Sequence, residues 1–466
     1  MPAWSINRTI RTPLLLLGAG ELLVLFSSVY VAAIITCGSV EACEARFGSL
    51  AFRAGLFAVV MLVSLVSTGL YQFHQRIYFH EAFVRVLVGF GLGSISLTLV
   101  FLIIRSAQLM QYLGAIALLY SLVLILGLRY YFLRHADENI FRHRTIVYGA
   151  GSRAAAISEL RRKADRRGFK VVATVAAPGD TQVLETSGEL MLEDACVEQV
   201  SGKLNADEIV IAMDDRRGNL PVGALLKCKL RGVQVIDIIE FLERETGKIR
   251  IDLVQPGWLI FSSGFRISPA RRLFKRLVDL LVGSVVGLLC LPFMVLIILA
   301  IKIEDGIRAP VLYRQIRVGF RGENFSVLKF RSMREDAEAD GKAVWAEEND
   351  PRITRVGRVL RKLRLDELPQ VFNVIRGEMS LVGPRPERPQ FVEKLSESIP
   401  YYAERHAVLP GVTGWAQIRY PYGSTEHDAA EKLQYDLYYV KNHNVFLDLM
   451  IILQTVEVIL WGKGSR

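Results

Sequence analysis

The run GRVLRKLRLDELPQVFNVIRGEMSLVGPRPE (Gly357–Glu387) sets an adjacent acidic pair, Asp366-Glu367, just after Arg358, Arg361, Lys362 and Arg364. In most proteins a carboxylate among bases is a solvated surface ion pair worth little. Here the pair stands in an apolar frame of Leu360, Leu363, Leu365, Leu368, Val371 and Phe372. The bases are expected to hold Asp366 ionised at neutral pH, and an ionised carboxylate serves as a nucleophile or a metal ligand. Neighbours in sequence do not share a helix face, so Asp366 and Glu367 are expected to do different work. Further on, Gly383-Pro384-Arg385-Pro386-Glu387 reads as a rigid turn that aims Arg385 at an anion. Upstream, Lys329 and Arg331 alternate with Leu328 and Phe330, so they are expected to share a strand face. Two bases aimed together suit a diphosphate.

These residues carry a resemblance. LDELPQ (Leu365–Gln370) and NVIRGEMSLVGPRPE (Asn373–Glu387) follow LYRQIRVGFRGENFSVLKFRSM (Leu312–Met333) and precede PGVTGWAQI (Pro410–Ile418) and YDLYYVKN (Tyr435–Asn442). In this order the blocks resemble the bacterial sugar transferase family of membrane phosphoglycosyl transferases. The resemblance implies transfer of a sugar-1-phosphate from a UDP-sugar to undecaprenyl phosphate, the step that begins exopolysaccharide, capsule or O-antigen synthesis. It further implies Asp366 as nucleophile, a covalent aspartyl-phosphosugar intermediate, and Mg2+ held partly by Asp366. Glu367 would orient Asp366 or the metal, and Lys329 and Arg361 would bind phosphate oxygens. Arg385, with Arg317 and Gln315, would hold the nucleotide. Asp436, among Tyr435, Tyr438 and Tyr439, reads by itself as a structural hydrogen-bond acceptor; the family motif adds a role in the site. The chain as a whole resembles the long members of the family, with a four-helix membrane region and a soluble middle domain.

The elements that must position this chemistry begin with apolar runs. A 51% hydrophobic fraction is high for a soluble protein and points to membrane spans. They are expected at about Pro13–Ile35, Leu50–Tyr71, Val84–Ile104 and Tyr112–Leu133, each long enough for a hydrocarbon core of ~30 Å. Arg8, Arg11, Arg76, Arg85, Arg129, Arg134, Arg142 and Arg144 flank them on one side, which the positive-inside rule makes cytoplasmic. The implied location is the bacterial inner membrane, with the C-terminal region on the cytoplasmic face. Cys37 and Cys43 then lie on the oxidising side, where a disulfide is open to them without being required. The net charge of +10 comes without a nucleic-acid-binding signature, so the expected anions are lipid head groups and phosphates rather than nucleic acid.

The expected domains are residues 1–136 (four-helix transmembrane), 137–262 (Rossmann-like α/β) and 263–466 (α/β catalytic, with interfacial helices). The middle one should carry strands at Thr145–Tyr148, Lys170–Ala176, Glu208–Ala212 and Val233–Ile236, and a helix to about Arg167. Its Gly149-Ala-Gly-Ser-Arg-Ala154 turn is a G-x-G-x-x-A variant, but the second strand runs into Ala176-Ala177-Pro178 where a ribose-binding acid is expected. A structural or regulatory role is therefore favoured over cofactor binding. A basic collar (Arg266, Arg271, Arg272, Lys275, Arg276) then precedes the apolar run Leu277–Ile301. Lys302, Arg308, Arg314 and Arg317 make its far side equally basic, and Pro292 bends a helix, so a re-entrant helix is expected over 277–301. The family has Ser-Pro at the break; here it is Leu291-Pro292. Glu335–Asp350 reads as an acidic segment over the site, Phe391–Arg405 as an amphipathic helix, and Val445–Trp461 as an interfacial helix anchored by Trp461. A homodimer through the membrane or middle domain is a further expectation. A membrane-tethered dehydratase is disfavoured because no tyrosine has lysine four residues on. A non-catalytic scaffold for polysaccharide assembly would have no use for Asp366, Arg361 and Lys329.

Overall fold

The computed structural model describes residues 12–68, 70–71, 79–103, 111–135, 142–160, 165–166, 168–178, 180, 190–192, 196–216, 219–254, 256–262, 264–265, 268–334, 352–420, 423 and 425–461. The segment Glu335–Asp350, Arg8, Arg11, Arg76, Arg266 and the Trp461 side chain lie outside the described residues. The chain forms two compact units, Met1–Thr246 and Gly247–Arg466.

The first unit opens with α1 (Thr12–Cys37), the short α2 (Val40–Phe47), α3 (Leu50–Ser67), α4 (Phe79–Ile103) and α5 (Gln111–His135). All but α2 are long and apolar enough to cross a membrane by length and composition. Helix α1 packs on α3 and α5, and α4 packs on the same two. Hydroxyls inside the helices bond back to their own carbonyls: Ser28 to Leu25, Thr36 to Ala32, Ser64 to Val60 and Ser121 to Ala117. Each of these four hydroxyls is thereby satisfied within its own helix. Close approach comes from glycine, since a Cβ at Gly93 would lie 2.4 Å from the Met61 sulfur. Reading the first span as an apolar run passes over Glu21, which the fold buries completely. Glu21 pairs with Arg129 of α5 at 2.6 Å and accepts from the Tyr71 hydroxyl. Cys37 and Cys43, left open by the sequence, are joined as a disulfide.

The same unit continues with β1 (His143–Tyr148), α6 (Ser152–Ser158), β2 (Phe169–Val175), β3 (Leu190–Leu192), α7 (Val197–Lys203), β4 (Glu208–Ile211), α8 (Val222–Leu230), β5 (Gln234–Asp237) and α9 (Ile238–Thr246). The strands form one parallel sheet in the order β3-β2-β1-β4-β5. The helix after the glycine turn ends at Ser158, short of the expected Arg167.

The second unit runs through α10 (Pro256–Phe261), α11 (Pro269–Asp305), β6 (Leu312–Val318), β7 (Asn324–Phe330), α12 (Arg355–Lys362), a 3-10 turn Leu365–Glu367, α13 (Gln370–Arg376), β8 (Ser380–Val382), α14 (Pro389–Ser398), β9 (Gly411–Thr413), α15 (Trp415–Arg419), α16 (Glu426–Asn442) and α17 (Val445–Trp461). Strands β6 and β7 form an antiparallel hairpin that sets Tyr313 opposite Lys329; β8 and β9 pair in parallel. The helix expected over Phe391–Arg405 is divided: α14 stops at Ser398, and a separate 3-10 turn spans Tyr402–Ala407. Pro400 holds Ile399 extended and withholds an amide.

Helix α11 is longer than the expected 277–301 and runs unbroken through Pro292. Near its start the Lys275 ammonium donates to the Val382 carbonyl and the Asp448 carboxylate. Arg276 donates to the Val374 carbonyl, and the Asp279 carboxylate accepts from the Leu381 amide. Near its end Met294, Ile297 and Ile301 pack with Phe330, Leu360 and Val371. The rest of its circumference exposes Leu281, Leu288, Leu289, Leu296 and Leu299. Both ends of this apolar helix thus hold parts of one body.

Candidate active site

The acidic pair owes its placement to local backbone chemistry. The Thr354 hydroxyl caps α12 by accepting from the Gly357 amide at 2.9 Å. A Cβ at Gly357 would lie 2.0 Å from the Ser332 carbonyl oxygen, so only glycine lets α12 approach this closely. Past the end of α12, Arg364 adopts a left-handed backbone, φ 59°, and reverses the chain into the 3-10 turn. Leu365 and Leu368 go down into the cluster with Ile297, Ile301 and Leu360, leaving Asp366 and Glu367 above it.

The two carboxylates then part company. A single Glu367 oxygen, Oε1, accepts from Lys329 Nζ at 3.0 Å and from Arg385 Nη2 at 2.7 Å. Burial alone would raise the Glu367 pKa, but Arg385 and Lys329 outweigh it and hold the carboxyl well below its ordinary range. Burial in turn lowers the Lys329 ammonium, against the pull of Glu367. Asp366 moves the other way. Burial and the neighbouring Glu367 charge raise its pKa, opposed by Lys329, Arg361 and Arg364. The lowering that the sequence led us to expect at Asp366 therefore falls on Glu367, because the nearest cations bond to Glu367. No described residue hydrogen-bonds the Asp366 carboxylate.

Arg317 Nη1 donates to the Pro386 carbonyl at 3.0 Å and approaches the Glu387 carboxylate at 3.4 Å, while its Nε and Nη2 hold the Gln315 side-chain oxygen. The proline turn bearing Arg385 is thus fastened to β6. Arg331 does not follow Lys329 to the acidic pair; it meets Asp305 at the end of α11. Asp436 lies away from the pair in a buried ion pair with Arg405 at 2.7 Å, and burial pushes its carboxyl up to about 6. Arg405 connects the two places, because its Nη2 also donates to the Arg385 carbonyl and its Nη1 to the Tyr402 hydroxyl. Pro292 lies within α11, outside this group.

Two supports escaped the sequence reading. Asn373, fully buried on α13, accepts from the Leu328 amide and donates to the Ser326 carbonyl and Glu378. It locks β7, and so Lys329, against the helix that follows the acidic turn. Its signal was an amide set in the apolar run Val371–Ile375. Arg405 gave no such signal, since Asp436 and the Arg385 carbonyl come from distant segments.

Among the described residues no three His, Cys, Asp or Glu side chains converge as a metal site. Mg2+ commonly takes one or two carboxylates and completes its sphere with substrate phosphates and water. Asp366, open to such a ligand beside bases suited to phosphate, fits that donor set.

The glycine turn of the first unit contrasts with this arrangement. Asp180 accepts from the Ala150 and Ala177 amides at 2.6 and 3.1 Å. Asp214 accepts from the Ser152 and Arg153 amides and the Ser152 hydroxyl, each at 2.9 Å. The protein's own carboxylates take the donors that a ligand phosphate would use.

The family match to known proteins falls within the second unit. Residues 270–462 match the family described as bacterial sugar transferase. The UDP-N-acetylgalactosamine-undecaprenyl-phosphate N-acetylgalactosaminephosphotransferase of Aeromonas hydrophila is 40% identical over 242 residues, 52% of this chain and 56% of that protein. The UDP-glucose:undecaprenyl-phosphate glucose-1-phosphate transferase of Escherichia coli (strain K12) is 41% identical over 192 residues, 41% of each chain. The exopolysaccharide production protein ExoY of Rhizobium meliloti (strain 1021) is 38% identical over 213 residues, 43% of this chain and 91% of that protein. The match thus spans about half the length of the first two relatives and nearly all of the third.

Proposed function

Since the chain belongs to the bacterial sugar transferase family, we propose that it transfers a sugar-1-phosphate from a UDP-sugar to undecaprenyl phosphate, releasing UMP. The observation that carries this reading is the division of labour in the acidic pair. Glu367 is tied to Lys329 and Arg385, while Asp366 stands beside it without a hydrogen bond from any described residue. A carboxylate so placed is a nucleophile whose neighbours are already oriented.

In the proposed reaction an Asp366 oxygen attacks the β-phosphorus of the UDP-sugar. The bond from that phosphorus to the bridging oxygen breaks, and UMP leaves with the electron pair. A phosphate oxygen of undecaprenyl phosphate then attacks the same phosphorus, and the Asp366 carboxylate is the second leaving group. Lys329 and Arg361 hold phosphate oxygens as charge builds on them. Arg385, steadied by Arg405 from behind, and Arg317 with Gln315 hold the nucleotide side. Bound Mg2+, with Asp366 as its protein ligand, would cancel part of the diphosphate charge.

The acceptor is a lipid, and α11 supplies the apolar surface to meet it. Lys275, Arg276 and Asp279 at one end and Glu304 and Asp305 at the other all engage elements of the second unit. This supports a helix that enters the bilayer with both ends on the same, cytoplasmic, face of the inner membrane. The Cys37–Cys43 disulfide supports an oxidising environment for the loop after α1. The parallel sheet of the first unit is consistent with a Rossmann-like middle domain.

The test uses the full chain in nanodiscs with Mg2+, undecaprenyl phosphate and a panel of UDP-sugars, and follows UMP release. Release from one donor, lost in Asp366→Asn, is expected. Silence from every donor with folded protein would replace the transferase with a scaffold.

A further inference from the structure

The C-terminal end of α11 does more than leave the bilayer surface. Its last two residues reach two different elements of the candidate active site. The Glu304 carboxylate accepts from the Arg355 amide at 2.7 Å and, through its other oxygen, from the Val356 amide at 2.9 Å. These are the first amides of α12, the helix that delivers Arg361 and runs into the Asp366-Glu367 turn. A carboxylate on such amides satisfies donors with no partner inside the helix and meets the positive end of its dipole. One residue on, Asp305 pairs with Arg331, whose side chain is 9% exposed. Arg331 directly follows β7, two positions after Lys329, and its amide donates to the Val311 carbonyl at 2.9 Å. One and two turns before, Ile301 and Ile297 pack in the cluster that contains Leu365 and Leu368, the residues flanking the acidic pair.

Three contacts thus run from one helix end to three pieces of the site: the start of α12, the end of β7, and the underside of the acidic turn. We infer that Glu304 and Asp305 are positioning residues for the transfer, and that Arg331 acts through Asp305 rather than on the substrate. The membrane helix is then the part to which the distance between Lys329 and Asp366 is referred. This inference rests on the transferase reading for its kinetic consequences and on the contacts alone for its structural ones.

The experiment uses the full chain in nanodiscs and five variants: Glu304→Ala, Glu304→Gln, Asp305→Asn, Arg331→Gln and the double variant Asp305→Asn/Arg331→Gln. Two quantities are followed: steady-state UMP release, and amide hydrogen exchange over Leu365–Leu368. Each single variant is expected to lose about tenfold in kcat with the KM for the UDP-sugar within about twofold. The double variant should lose no more than the worse single one, because paired residues that act through each other are not additive. Glu304→Gln, which keeps an acceptor oxygen, should recover part of the Glu304→Ala loss. Exchange at Leu365–Leu368 should rise in all the charge-removing variants, although that turn is unmutated. If Arg331→Gln raises KM while Asp305→Asn is silent, or if the double variant multiplies the two losses, Arg331 is a substrate ligand and the inference falls. Should the wild type release no UMP from any donor, the transferase reading fails separately. Exchange at the turn then decides alone, and wild-type exchange in the variants rejects the positioning role.

Discussion

Two turns in this molecule bring pairs of acids among hydrogen-bond donors, with opposite results. At the glycine turn the donors are backbone amides, and Asp180 and Asp214 each accept from two of them. At the acidic turn the donors are cationic side chains. Lys329 and Arg385 both converge on one oxygen of Glu367, and Asp366 is left over. The first turn has its donors filled from within. The second keeps a carboxylate that no described residue hydrogen-bonds, beside charges that suit phosphate. A motif that reads as anion-binding in sequence is therefore open only if the fold leaves its donors unspent.

The contrast can be broken most directly at Asp366. Asp366→Asn keeps the shape of the turn and removes the nucleophile, so UMP release should fall about a thousandfold or more, measured by initial rates against wild type. A residual rate within tenfold of wild type would move the nucleophile elsewhere. The buried support behind the turn comes next. Arg405→Met leaves Asp436 buried without its partner, which costs about 3 kcal/mol; a fall in thermal midpoint in detergent checks it. Arg385→Ala removes one donor from Glu367 and one cation from the nucleotide side. It should cost about a hundredfold in kcat/KM, with the thermal midpoint little changed. The smallest effect belongs to the glycine turn. Asp214→Ala uncaps the start of α6 at a cost of about 1 kcal/mol and should leave UMP release within about twofold of wild type. A large loss of activity there would mean that the middle domain contributes to the reaction.

Much of this arrangement was legible from residue types. The long apolar runs announced α1, α3, α4, α5 and α11 because a helix that must satisfy its backbone internally shows its length in sequence. Strands β1, β2, β4 and β5 were legible from short apolar runs, whereas the short β3 was not. The proposed nucleophile and its basic surroundings were read from one contiguous segment. Which acid the bases would bind was not, since Lys329 and Arg385 reach Glu367 from 38 and 18 residues away. Nor was the pairing of Arg331 with Asp305. Alternation in a strand says that two side chains share a face, but not what stands opposite each of them.

The sequence by itself determined the kind of protein: apolar lengths that fit a bilayer, glycine and proline where the chain must turn, and an acidic pair among bases. These are properties of single segments, set by local sterics and by the solvent each segment prefers. The tertiary structure decided the assignments among them. It buried Glu21 against Arg129, spent Asp180 and Asp214 on the glycine turn, joined Glu367 to Lys329 and Arg385, and left Asp366 without a hydrogen bond from any described residue. Each choice is a contest between partners that only folding brings within ~4 Å, where burial makes charge and hydrogen bonding strong enough to select one.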